Sequence, residues 1–138
     1  MSDKEDLQNI KCQSCPTLAK GAFKNLNSEE LAALCKSRHL TPIDKGELIM
    51  REGAYAKGVY CVQSGHFKLT AQGGGGRETI VRFASPGDLI GYRALLADDP
   101  LSVSVAAVKD ATACFVPKDI LLSFLKSNGP FSLELLRQ

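Results

Sequence analysis

Hydrophobic positions along this chain keep two rhythms. Leu31, Leu34 and Cys35 recur at helical spacing. The helix start is well marked. Asn27 can accept hydrogen bonds from the orphan amides as N-cap, Glu30 stands in the reciprocal capping-box position, and Leu26 and Leu31 sit as a hydrophobic staple. This helix is predicted to end before Thr41-Pro42, because a residue preceding proline avoids the helical region. Helical spacing returns at Lys118–Lys126, with Ile120, Leu121, Phe124 and Leu125 on the buried side. Asn128-Gly129 predicts a left-handed cap there, and Pro130 a stop. A last helix is expected from near Phe131 to Gln138, with Leu133 and Leu136 apolar, the pattern breaking off as if a longer helix continued.

From Ile43 to Pro117 the period is two. Phe67, Leu69 and Ala71 alternate with Lys68 and Thr70, and Val103, Val105 and Ala107 with Ser104 and Ala106. Strands are predicted at Glu47–Met50, Val59–Gln63, Phe67–Ala71, Thr79–Phe83, Val103–Val108 and Ala113–Val116. Turn residues return roughly every 8–12 positions, the rhythm of an all-β sandwich or jelly roll. The spacers are too short for crossover helices. One interval departs from this rhythm: Tyr92–Ala97 reads as one or two helical turns closed by Asp98-Asp99-Pro100. The fold class expected is mainly β with flanking helices, a β-roll or double-stranded β-helix jelly roll.

Composition narrows the function. The 138 residues are 44% hydrophobic and 23% charged, enough for one core. Seventeen basic residues against fifteen acidic leave a net charge of +2, which is no polybasic footprint for gripping nucleic acid. Apolar runs reach only four or five residues, whereas a membrane span needs about 20. The charged start carries no secretory pattern, so a reducing cytoplasm is the expected location. The five cysteines (Cys12, Cys15, Cys35, Cys61 and Cys114) are therefore read as thiols or ligands before disulfides. With two histidines and no His-x-His, a cupin-like metalloenzyme is only a remote alternative, and no Gly-x-Ser-x-Gly elbow supports a hydrolase. Gly73–Gly76 lacks a P-loop ending and reads as a hairpin loop. No enzymatic activity is expected.

Three stretches together resemble the sensor domain of the Crp/Fnr family of bacterial transcription regulators. The most specific is Pro86-Gly87-Asp88-Leu89-Ile90-Gly91-Tyr92-Arg93-Ala94-Leu95-Leu96, which is similar to the family's phosphate-binding cassette. Gly58–Gly65 and Ala113–Pro117 match as well, and the resemblance runs from Cys12 to Gln138. It implies a β-roll of about eight strands; in the full-length protein a dimerising helix and a DNA-binding helix-turn-helix module would follow, making a homodimer. The organisation expected is a Cys-containing segment at 1–25, a helix plus β-roll sensor at 26–117, and C-terminal helices at 118–138 beginning a truncated dimerisation helix. The partners expected are an unidentified small-molecule effector and DNA through the missing module, with no membrane.

The resemblance also assigns candidate residues. An effector pocket is expected at Gly91, Tyr92, Arg93, Ala94, Ser102, Val103 and Ser104, with the amides of Gly91–Ala94 facing an anion. Cyclic-nucleotide-binding members place a glutamate directly after the glycine for the ribose and an arginine near the next strand for the phosphate. Here Tyr92 takes the first place, and the second falls near Ser102, with no basic residue from Leu101 to Ala106. Losing one partner of a buried charge pair typically costs about 2–5 kcal/mol, so some other anion, or no ligand at all, is expected in place of cyclic nucleotide. A genuine cyclic AMP or cyclic GMP site is the alternative. In the oxygen-sensing Fnr branch an iron–sulfur cluster is held by four cysteines. Cys12 and Cys15 match the first pair and Cys114 the last, while the third position falls near Gly21, leaving Cys61 as a substitute ligand. A sensing domain, responsive to an effector or to redox state, is the resulting expectation.

Overall fold

A computed structural model describes residues 22–136. A 3₁₀ turn (Ala22–Asn25) and helix α1 (Ser28–Ser37) precede eight strands: β1 His39–Ile43, β2 Leu48–Met50, β3 Gly58–Ser64, β4 Phe67–Gln72, β5 Glu78–Ala84, β6 Leu89–Ile90, β7 Ser104–Ala107 and β8 Ala111–Pro117. Helix α2 (Tyr92–Ala97) interrupts the strands between β6 and β7, and α3 (Lys118–Ser127) and α4 (Gly129–Leu136) follow β8. Two four-stranded antiparallel sheets result, ordered β1-β8-β3-β6 and β2-β7-β4-β5. This is the jelly roll expected from the two-residue period. Strands β1 and β6 lie outside the predicted runs: β6 has two residues, and β1 contains Pro42, which an edge strand tolerates.

The first sheet is buried on both faces. Along β3, Val59 and Cys61 enter a cluster with the helices, whereas Val62 enters a cluster between the sheets. On β8, Cys114 and Val116 face the helices and Ala113 faces the other sheet. The second sheet is buried on one face only, and Lys68 and Glu78 pair at 3.4 Å on its outer side.

The helices are held to one another by aromatic rings and one carboxylate. Phe23 stacks on Phe131 with centroids 5.7 Å apart, and Phe124 meets both edge-on. Each such pair adds about 0.5–1.5 kcal/mol beyond the area it buries. The capping box at Asn27 forms as predicted, with Glu30 accepting from the Asn27 amide at 3.0 Å. The same carboxylate also accepts from Asn128 Nδ2 at 2.7 Å and from the Ser127 hydroxyl at 3.3 Å. Glu30 is therefore both a cap and a clamp on the α3–α4 junction.

That junction corrects two expectations. Asn128 is extended (φ −132°, ψ 99°), and Gly129 belongs to α4, so no left-handed cap forms. Instead the Asn128 side chain accepts from the Phe131 amide at 2.9 Å and starts the next helix. In α4, Phe131 and Leu135 are buried while Leu133 is exposed. Helix α1 ends at Ser37 and His39 already opens β1, and Gly74–Gly76 form a 3₁₀ turn between β4 and β5. Replacing Glu30 with alanine removes the acceptor that ties α1 to the α3–α4 corner and leaves Asn128 Nδ2 only the Asn25 carbonyl; urea denaturation is expected to show a loss of about 2 kcal/mol, and an unchanged midpoint would refute the clamp.

Candidate functional site

The turn into α2 is set by Gly91, which caps the helix at φ +92°. A Cβ there would lie 2.5 Å from Met50 Cε, in a backbone region that side chains rarely adopt. The helix ends equally sharply at Asp98, left-handed at φ +57°, whose amide reaches back to the Ala94 and Leu95 carbonyls. Gly53 and Ala54 pair with Leu101 through two 2.8 Å backbone bonds, fixing where the chain re-enters the sheet.

Between these anchors lies a cavity of about 180 Å³. It is lined by Gly91, Tyr92, Arg93, Ala94, Ser102 and Val103, together with Leu69, Val81, Arg82, Leu89, Ile90 and Leu101. Ser104, grouped with the first six in the sequence, faces the outer side of the second sheet, where its hydroxyl accepts from the Glu52 amide at 2.9 Å. The alternation of a strand explains this correction, since Val103 and Ser104 must point to opposite faces.

Sequence reasoning missed Arg82. It pairs with Leu69, but the next pair is Thr70 with Ile80, so Val81 is an extra residue in β5. Arg82, opposite Leu69 and two residues from buried Ala84, shares their face by ordinary alternation, and the bulge adds Val81 to the cavity wall. No acidic side chain lines the cavity, and among the described residues Arg82 forms no ion pair.

Tyr92 is buried in the cluster that unites the first sheet with the helices. Its hydroxyl accepts from Arg93 Nε at 3.2 Å, and the Arg93 guanidinium carbon lies 5.8 Å from its ring centre. Beyond it a second cavity of about 480 Å³ separates α2 from α3 and α4, lined by Tyr92, Arg93, Leu96, Ala97, Leu125, Ser132 and Leu135. Elsewhere, burial and then the Glu47 charge raise the Tyr60 phenol above its ordinary 10.0. Tyr60 packs edge-on against Phe115 at 5.2 Å and takes no part in the cassette cavity.

Cys61 and Cys114 are buried and share one register position of β3 and β8. Cys35 is disulfide-bonded, which corrects the expectation of five thiols or ligands: pairing depends on spatial approach, which spacing does not reveal. Cys12 and Cys15 lie outside the described residues. Among the described residues no group of three or more His, Cys, Asp and Glu is placed to hold a metal ion. Tyr92 and Ser102 both stand on the wall of the cassette cavity.

The cyclic nucleotide-binding domain profile matches residues 40–128. The chain belongs to that family. Its relatives place it among the Crp/Fnr regulators. It is 27% identical over 119 residues to the CRP-like cAMP-activated global transcriptional regulator of Mycobacterium tuberculosis, covering 85% of this chain and 52% of that one. It is 31% identical over 113 residues to the anaerobic regulatory protein of Haemophilus influenzae, covering 81% of this chain and 44% of that one. The chain thus spans about half the length of these curated relatives. Its fold is similar to the sensor domain of the transcriptional regulator DNR from Pseudomonas aeruginosa, with a TM-score of 0.82 at 24% identity, covering 96% of this chain and 87% of that domain.

Gly91→Ala forces a side chain into the left-handed region and against Met50. Chemical denaturation is expected to register a loss of about 1–2 kcal/mol; full stability would show that the α2 turn is not held by this glycine.

Proposed function

We propose that this chain is the signal-receiving domain of a Crp/Fnr-type regulator, and that its effector enters the cassette cavity and is not a cyclic nucleotide. The observation that carries the reading is the position of α2. Its Arg93 and Ala94 border the cavity, while its Tyr92 and Leu95 are buried in the cluster that holds Leu121, Phe124 and Leu135 of the C-terminal helices. An occupant that displaces α2 must therefore repack α3 and α4, shifting a two-state equilibrium at the end of the domain. DNA contact and dimerisation belong, on this reading, to a module beyond these residues, and no catalytic step is assigned to the domain.

The decisive experiment has two parts. Titration with cyclic AMP and cyclic GMP is expected to give no saturable heat at micromolar ligand; binding there would overturn the exclusion. Filling the cavity by Val103→Trp in the intact regulator is expected to fix transcription from its target promoters at one level. Normal regulation in that variant would sink the cassette as the sensing element.

A second reading, redox sensing, is favoured by one observation: Cys61 stands directly opposite Cys114. Directly opposed antiparallel residues have Cα atoms about 4.5–5.5 Å apart, within the range a disulfide spans. Hydrogen peroxide would take two electrons and two protons from the pair, leaving one S–S bond and two waters. Peptide mapping after peroxide treatment is expected to recover a Cys61–Cys114 crosslink; two intact thiols after prolonged exposure would dismiss this reading.

A further inference from the structure

We infer that the outer face of the second sheet carries a binding groove for a neutral polyhydroxylated molecule of saccharide size, with the buried Thr70 hydroxyl at its floor. The groove lies across the sheet from the cassette cavity: Leu69 and Val103 line the one, Thr70 and Ser104 the other. It therefore stands apart from the reading of the cassette as the effector site. Three observations carry it. The first is a stranded hydroxyl. Thr70 sits between Ser104 of β7 and Ile80 of β5 and is only 6% exposed, yet among the described residues its hydroxyl has no hydrogen-bond partner. Buried polar atoms are almost always bonded, so one that opens into a groove marks a place for a ligand. Valine would fill the same space on a strand without leaving a hydroxyl unsatisfied.

The second observation is size. The groove measures about 670 Å³, within the roughly 300–1,000 Å³ of ordinary small-molecule sites. The third is the chemistry of its wall. Ser104 accepts from the Glu52 amide at 2.9 Å and keeps its own proton to donate. Glu52 takes the Gln72 amide at 3.0 Å on one of its two oxygens, and the Gln72 carboxamide offers both a donor and an acceptor. Lys68 and Glu78 pair with each other at 3.4 Å, while Lys45 and Arg51 are exposed, solvated cations at the rim. What the groove leaves unmet is hydrogen bonding in both directions, and not charge. An anion supplies only acceptors and an ammonium only donors, whereas a pair of neighbouring hydroxyls supplies both. Leu48 and Ala106 give apolar ground for the C–H face of a ring.

Amide chemical-shift mapping of this chain with maltose, inositol and inorganic phosphate tests the inference. One or both polyols are expected to move the Thr70, Gln72 and Ser104 amides saturably. Thr70→Val is expected to raise the urea midpoint, because it removes an unbonded hydroxyl, and to weaken that binding about fivefold. Gln72→Ala, at an exposed position, is expected to weaken it about twofold without loss of fold. Unmoved amides with both polyols, or full affinity in Thr70→Val, would overturn the inference. Phosphate moving these amides at lower concentration than either polyol would overturn the neutral class. A lowered urea midpoint in Thr70→Val would also sink it, since the hydroxyl would then be serving the fold.

Discussion

Helix α2 has six residues, and both of its sides are committed. Tyr92 and Leu95 are buried among the helices and the first sheet, while Arg93 and Ala94 border the cassette cavity. A segment this short has no internal stability, since isolated helices below about 12–15 residues are marginal even in favourable sequences. It exists because Gly91 and Asp98 turn the chain sharply at its ends and because its apolar side is packed. Its position is thus a compromise between two surfaces, and a change at one is felt at the other. The Glu30 clamp and the Phe23–Phe124–Phe131 rings hold the far side of that compromise, so movement of α2 is opposed by a defined structure.

Much of this was legible in the sequence because the responsible interactions are local. The capping box at Asn27 and Glu30, the alternation of β4 and the span of α2 at Tyr92–Ala97 each arise within a few residues. Asn128-Gly129 misled for an instructive reason. The dipeptide can cap a helix, but Glu30, 98 positions away in the chain, binds Asn128 Nδ2, and the Asn128 carboxamide oxygen caps the following helix instead. Glu30 itself read only as a capping partner. Its second duty requires α1 and α3 to be neighbours, which only the folded chain provides.

The cavity shows the same division. Gly91 to Ala94 stand together in one motif, and Ser102 and Val103 lie just before β7. Val81 could not be placed on the same wall, because its position depends on a mismatch between β4 and β5 that neither strand records alone. Ser104 was misassigned by treating three consecutive residues as one surface, although a strand presents only alternate positions to a cavity. The cysteines divide similarly: the sequence offers Cys61 and Cys114 only as separate candidate ligands, and only strand register sets them opposite one another.

Tyr92 bears on the kind of signal this cavity can read. Family members that bind cyclic nucleotide place a glutamate there, so their pocket holds a carboxylate as well as an arginine. Position 92 here is buried among apolar side chains, and a carboxylate in that setting would need a partner to offset its desolvation. The tyrosine avoids that cost by burying its ring while its hydroxyl oxygen accepts from Arg93 Nε. The same side chain stands on the wall of the cassette cavity and in the cluster that holds Leu121, Phe124 and Leu135, so it joins the two surfaces that α2 serves. A change of its ring position on one side cannot leave the packing on the other side untouched, because a close-packed cluster has no free volume to absorb it.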